Sequence, residues 1–308
     1  MAVSPRGNFS RPWPLGFTIP QQVIPDLFLL PALVALTIAV FWPALRAFYL
    51  SFTTFGVDLT AAPTWVGTAN LQRLVADPIF WQTVRNTLVY LAGVVPILTF
   101  APLGLAILVN RRLRGMHWLR VAYYSPVVVS MVVAGIAWRW LYAETGLFNQ
   151  VLKSLGLSEN GVPWLTSPAL ALFSVMVVTV WKGLGYYMVI YLAGLQGIPQ
   201  DLYEAAALDG SDGGWRHWDI TLPLMRPYLA LVGVISAIAA TKVFEEVYIM
   251  TQGGPRNSSK TVVYYISEQA FQKLEISYAC TLGLALFLVI LALSALRLAL
   301  NDRAAPVI

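Results

Sequence analysis

Apolar runs long enough to cross a bilayer recur along this chain, separated by stretches rich in Gly, Pro, Asp and Arg. A hydrocarbon core about 30 Å thick takes ~20 helical residues. Six runs suit that length: Leu27–Leu50, Asn86–Val109, Val121–Tyr142, Ala169–Leu195, Arg226 or Pro227 to Phe244, and Tyr278–Ala299. The pattern predicts an all-α membrane protein of six transmembrane helices, with Pro96 and Pro102 as kink points in the second. Polar tails, 1–26 and 301–308, flank a membrane domain over 27–300. The first run starts too far in and is too long for a cleaved leader, so it reads as an uncleaved span. Three mixed segments, 51–82, 143–167 and 245–277, form the loops on one side, where Trp65 and Trp81 suit the interface.

Composition agrees with that picture. The 308 residues are 58% hydrophobic and 11% charged, whereas soluble domains are nearer 25% charged. An ordinary soluble domain is excluded. Cys280, the single cysteine, lies in an apolar run and reads as a packed thiol, leaving no disulfide framework. The net charge of +5 is small enough for topology to absorb and is no argument for nucleic acid. Counting Lys and Arg orients the chain. Ten fall in the tails, the Asn110-Arg111-Arg112-Leu113-Arg114 cluster with Arg120, and at Arg216 and Arg226. Six fall opposite, at Arg73, Arg85, Lys153, Arg256, Lys260 and Lys273. Positive residues mark the cytoplasmic side, which puts both termini inside.

One inner loop is unlike the rest. Residues 203–223 form a polar, acidic, Gly-punctuated island where a short basic loop would be ordinary. Pro199 and Asp201 start a brief helix over Leu202–Leu208, and Gly210 stops it. Trp215–Leu222 forms a second short helix ended by Pro223. Small Ala205, Ala206 and Ala207 admit another surface closely, while Glu204 and Asp209 carry charge. An amphipathic hairpin on lipid headgroups would favour Lys and Arg instead.

Glu204-Ala205-Ala206, Asp209-Gly210, Trp218, Ile220, Leu222 and Pro223, at their spacings, resemble the EAA loop of ATP-binding-cassette importer permeases of the sugar-transport branch. Ser211 and Trp218 depart mildly, standing where the family often has Ala and Phe. Ala193-Gly194-Leu195-Gln196 before Ile198-Pro199, Gly146-Leu147-Phe148-Asn149, and Phe244–Tyr248 leading into Thr251–Pro255 are also similar to the maltose and glycerol-phosphate permeases. The resemblance implies a type I ABC importer permease fold with a cytoplasmic coupling loop over 197–223, contacting an ATPase through Glu204, Ala205, Ala206, Asp209 and Gly210. It further implies a second permease subunit, two ATPase subunits that bind the ATP and Mg, and an extracytoplasmic solute-binding protein, in a bacterial or archaeal cytoplasmic membrane. The chain itself would be a non-catalytic subunit holding no cofactor and no metal. The implied cargo is an oligosaccharide such as maltose or trehalose, or alternatively glycerol-3-phosphate or a related phosphodiester.

Lys182 is the most expensive residue in the chain, because a mid-membrane Lys costs about 2.5–3.5 kcal/mol by insertion scales. It lines a path for polar solute or pairs with a carboxylate on a neighbouring helix; both readings stand. Beside it, Trp181, Tyr186 and Tyr187 suit the apolar faces of sugar rings, and Gly183 and Gly185 suit close helix packing. The resemblance places the pocket on this turn and on Ser236–Lys242. The candidate substrate set is therefore Ser125, Trp181, Lys182, Gly183, Tyr187, Ser236, Lys242, Glu245 and Glu246. Lys242 with Glu245 and Glu246 also reads as a self-neutralising helix end, by i, i+3 and i+4 pairing. Ser125 and Ser130 also read as serines bonding local carbonyls. His117 and His217 stand in different loops with no ligand partner at metal spacing. No phosphate-binding Gly-x-x-x-x-Gly-Lys-Ser/Thr occurs, since Gly253-Gly254-Pro255 lacks the following Gly-Lys. An ion-driven secondary transporter would show repeats with membrane-embedded acids, and a membrane enzyme would need a nucleophile or metal cluster; neither pattern is found.

Overall fold

A computed structural model describes residues 23–55, 62–111 and 113–301. Most of both tails and Arg112 of the basic cluster lie outside the described residues. The chain is mostly helical, with a two-residue antiparallel pairing of β1 (Thr53–Thr54) and β2 (Thr64–Trp65) as its small departure from an all-α fold. Among the described residues four helices are long and apolar enough to cross a membrane: Phe28–Leu50, Pro78–Val109, Ala171–Gln196 and His217–Thr241. They belong respectively to α1 (23–50), α3 (Pro78–Val109), α7 (Ala171–Gln196) and α9 (215–241). Helix α2 (Ala69–Ala76) precedes α3 on the 51–82 side. After α11 (262–272), the last helix, α12 (Ile276–Asn301), is apolar over Ile276–Ala292.

The expected single crossing over Val121–Tyr142 is instead two helices, α4 (Met116–Val128) and α5 (Met131–Leu141), meeting at 99°. Pro126 and the β-branched run Val127-Val128-Val129 weaken the helix there. Val129 and Ser130 turn extended, and the Ser130 hydroxyl caps α5 by accepting from Val133 N–H at 3.4 Å.

Two prolines also behave differently from a helix stop. Helix α1 widens into a π turn at Thr37–Phe41 just before Pro43, and α9 does the same at His217–Thr221 just before Pro223. Each turn closes with an i→i+5 bond, from Trp42 N–H to Thr37 O and from Leu222 N–H to His217 O. The extra residue relieves the clash a proline ring makes with the carbonyl four residues back. Pro223 therefore lies inside α9, and the helix expected to begin at Arg226 or Pro227 begins at Trp215. It ends at Thr241, short of Phe244.

The core runs along α3 and α7, where Tyr90, Val94, Val175, Val178, Met188 and Tyr191 are fully buried. The turn of α6 (Leu147–Ser154) is fastened by Asn149. Its Nδ2 donates to the carbonyls of Ala143 and Val162, and its Oδ1 accepts from Val162 N–H and Trp164 Nε1. The segment after Met250 is pinned to α3 by Asn86, which donates to the carbonyls of Asn257 and Lys260 at 2.8 and 2.9 Å.

Asp77 ties the first and last thirds of the chain together. It caps α3 by accepting from Ile79 N–H at 2.8 Å, and its other oxygen accepts the hydroxyls of Tyr265 and Tyr278 at 2.6 Å each. Burial pushes this carboxyl up, but the two tyrosine hydroxyls and the Ile79 amide together outweigh it and hold it below its ordinary value of 3.8. A depressed carboxylate stabilises the fold above its ordinary pKa, and that contribution is lost as pH falls through the lowered folded value. Tyr265→Phe and Tyr278→Phe are each expected to lower stability by roughly 1.5–3 kcal/mol, the worth of a hydrogen bond to a charged group. Asp77→Asn should flatten the acid limb of the melting profile, measured by thermal denaturation in detergent between neutral pH and pH 3; an unchanged limb would remove Asp77 from this role.

Candidate functional site

Lys182 sits near the middle of α7, and its ammonium donates to the carbonyls of Pro126 and Val127 at 3.2 Å each and to that of Val129 at 2.5 Å. These carbonyls are orphaned where α4 stops, since the last carbonyls of a helix have no intrahelical partner. An ammonium carries three donors, and all three are engaged. The cation also opposes the negative end of the α4 dipole. Of the two readings of Lys182, the carboxylate pair is not formed among the described residues, and a broken helix end stands in its place.

Helix α7 approaches α4 closely beside this cap. A Cβ placed on Gly185 would fall 2.1 Å from Tyr123 O and 2.9 Å from Tyr124 Cα, so only glycine permits the contact. Gly183 is packed against Leu98 of α3.

A cavity of about 450 Å³ opens on Lys182, in the ~300–1,000 Å³ range of small-molecule sites. Of the nine expected substrate residues, Lys182, Gly183, Tyr187, Ser236, Lys242, Glu245 and Glu246 line it. Ser125 and Trp181 do not. Ser125 faces another cavity and donates to Ala122 O at 2.9 Å. Trp181 packs edge-on against Trp138, with centroids 5.4 Å apart, in a cluster that supports the 143–167 loop. Ser236 donates to Gly233 O at 3.1 Å, and its residue is buried.

Lys242, Glu245 and Glu246 do not form the expected self-neutralising pairs. Among the described residues the ion pairs are Arg73–Glu275 and Lys260–Glu268. The reason is backbone geometry. Helix α9 ends at Thr241, Phe244 leaves helical geometry at φ −139° and ψ −56°, and Glu245 opens a new helix, α10 (Glu245–Met250). The i, i+4 spacing therefore no longer places the charges on one face, and the two acids instead occupy a helix first turn, where negative charge is favourable.

Tyr90, Thr179 and Phe244 also line the cavity and were not expected there, and Tyr186, marked as a sugar-facing aromatic but left out of the candidate set, joins them. Tyr90 OH and Thr179 Oγ1 lie 2.5 Å apart, joining α3 to α7. A Thr one turn before Lys182, on the same helix face, was the available signal for Thr179; nothing local distinguishes Tyr90 from a core tyrosine.

The acidic island forms the second candidate surface. Helix α8 (Gln200–Leu208) is followed by Gly210 at φ +87°, a left-handed conformation glycine adopts without strain. Glu204, Ala205, Asp209 and Gly210 are exposed, whereas Ala206 is turned inward. Leu208, Trp215 and Trp218 are exposed beside them. The Tyr203 hydroxyl lies 3.0 Å from Thr221 Oγ1, which fastens α8 to the start of α9.

The family described as "Binding-protein-dependent transport system inner membrane component" matches residues 78–306. Over 276 residues the chain is 34% identical to the lactose transport system permease protein LacF of Rhizobium radiobacter, covering 88% of this chain and 91% of that one. Over 288 residues it is 32% identical to the sulfoquinovosyl glycerol transport system permease protein SmoG of Agrobacterium fabrum, covering 93% and 92%. The fold is similar, with a TM-score of 0.79 at 22% identity, to a chain in the crystal structure of a bacterial ABC transporter involved in the import of the acidic polysaccharide alginate, covering 91% of this chain and 96% of that chain.

Replacing Lys182 with Met leaves three carbonyls without their donor, two of them in part-buried bonds, and an unsatisfied group shut away from water costs about 1–3 kcal/mol. The Met variant is expected to melt several degrees lower in detergent, with Lys182→Arg restoring most of the loss. A Met variant as stable as the parent would refute the cap. Gly185→Val should be similarly destabilised, since its side chain meets backbone that cannot rotate away.

Proposed function

This chain belongs to the family of binding-protein-dependent transport system inner membrane components, and from that premise we propose that it forms half of the translocation path of an ATP-driven importer for an uncharged sugar. The observation that carries the reading is the cavity at mid-α7, lined by tyrosines, hydroxyls and charges, on the helix that leads directly into the acidic island. Helices α4 and α5 act as one broken crossing and α12 as the sixth span, giving six in the membrane domain over 27–300. Both termini and the 197–223 loop face the cytoplasm.

Catalysis of ATP hydrolysis belongs to two partner ATPase subunits. They grip the exposed face of α8 around Glu204, Ala205, Asp209 and Gly210, with Ala206 packed beneath. A second permease subunit completes the path, and a solute-binding protein delivers the sugar from outside. Closure of the ATPase pair moves α8, and α7 carries that motion to the cavity. The cycle requires that nucleotide and sugar each bind the inward and outward states with different affinity.

The charge of the cavity favours a neutral sugar over glycerol-3-phosphate or another phosphodiester. Lys182 has no donor left for a phosphate, since its three bonds end on backbone carbonyls. Two cations, Lys182 and Lys242, and two acids, Glu245 and Glu246, line the cavity, so it carries no net formal charge.

Reconstitution tests the proposal. Proteoliposomes containing the complete importer should take up a neutral di- or oligosaccharide only with ATP inside and the binding protein outside. Glu204→Lys should abolish sugar-stimulated ATP hydrolysis while membrane insertion is kept. Uptake by this chain alone in an ion gradient would overturn the importer reading.

A further inference from the structure

Helix α6 is short, yet its sides differ sharply in character. Asn149 is buried, Phe148 packs on the core and Leu152 is half-buried, so these three mark the side turned to the protein. Leu147, Val151 and Leu155, the last of them the residue that caps the helix, are 55%, 45% and 65% exposed. Four residues apart, they form one stripe. Gln150, Lys153 and Ser154 are exposed as well. At about 3.6 residues per turn the apolar stripe falls between the protein-facing side and this polar side. Three sectors therefore meet three surroundings: protein, water, and something apolar beneath the helix.

The start of α6 is held where α5 ends. A Cβ on Gly146 would overlap the carbonyl oxygens of Trp140 and Leu141, so the chain enters α6 directly against the last turn of α5. On α5 itself Val132, Ile136 and Trp140, again four residues apart, are exposed, and Trp140 is 76% exposed. Tryptophan collects where hydrocarbon gives way to water. The apolar outer surface of the broken span thus ends beside the first residue of the α6 stripe. A helix with an apolar stripe and a Lys-bearing polar face lies in the plane of that boundary. A soluble partner arriving through water would meet Gln150, Lys153 and Ser154 in place of the stripe.

We propose that α6 is an interfacial helix, seated in the boundary between acyl chains and headgroups by Leu147, Val151 and Leu155, with exposed Leu157 just beyond. The partner is the lipid at the end of α5, and no residue of the sugar cavity takes part. The importer reading enters in naming that leaflet as the outer one. Asn149 donates to the carbonyls of Ala143 and Val162, so a helix seated in lipid also fixes the depth of the 143–167 loop.

A spin-label accessibility measurement tests this. Cys280, the single cysteine, is replaced by Ala, and a nitroxide is attached at Val151→Cys, Leu155→Cys or Lys153→Cys in the full chain, in vesicles of phosphatidylcholine and phosphatidylglycerol. All three positions are exposed, so the labels displace no core contact. Oxygen collects in lipid and a charge-neutral nickel chelate in water, and each relaxes the labels it reaches. The oxygen-to-nickel ratio is expected to be several-fold higher at 151 and 155 than at 153. Similar ratios at all three positions, with nickel reaching each, overturn the proposal. The same labels in the complete importer separate lipid from protein. High oxygen access retained at 151 and 155 supports the lipid seat, whereas loss of access to both reagents there assigns the stripe to a protein partner and overturns it. Should no importer assemble with the chain, that reading fails while the vesicle measurement on the chain alone still decides the seat.

Discussion

A membrane interior supplies no water, so a helix that breaks inside it must find donors for the carbonyls it exposes. The α4–α5 break exposes three, at Pro126, Val127 and Val129, and the ammonium of Lys182 meets all of them. The arrangement solves two costly problems at once, since a mid-membrane cation and a set of orphaned carbonyls satisfy each other. It also fixes where the cavity lies, because the same Lys182 forms part of its wall. The 99° turn is therefore a held geometry, with the helix end clasped by a neighbouring helix.

Helix existence was legible in the sequence, and helix interruption was not. Runs of apolar residues declare a span by length alone, and the α3, α7 and α9 spans stand where such runs occur. Breaks depend on what a neighbour offers. Pro126 lies in α4 and is tolerated within it, whereas the helix ends two residues later, at the place where a lysine 53 residues further along the chain can reach. Pro223 was read as a stop because a proline ends most helices, yet a single π turn lets α9 continue through it. The pairing expected at Lys242, Glu245 and Glu246 assumed a continuous helix, and the two residues at 243–244 break it.

The site was legible to the extent that a charge in an apolar run announces itself. Lys182, and the aromatic and glycine residues next to it, could be marked without a structure. The sequence gives no way to tell which nearby side chains face the cavity: Trp181 precedes Lys182 directly but points to the Trp138 cluster. Tyr90 joins from α3, 89 residues from its hydrogen-bond partner Thr179. Contacts across such separations are set by helix packing, which periodicity cannot register.

Mechanical continuity links the two candidate surfaces. Helix α7 runs without a break from the Lys182 cap to Gln196, and Gly197 to Pro199 hand it to α8. Toward its middle it is locked to α4 twice, by the lysine and by the backbone contact at Gly185. At its far end α8 is fastened back to α9 through Tyr203 and Thr221. A displacement applied to α8 is thereby delivered to α7 and α9 together, and α4 must travel with α7. Helix α5 lacks those two attachments and packs instead on α10. In the proposed cycle the extended pair Val129-Ser130 is where a moving α4 and a static α5 meet, and the backbone there absorbs the rotation that opens the cavity to one side or the other.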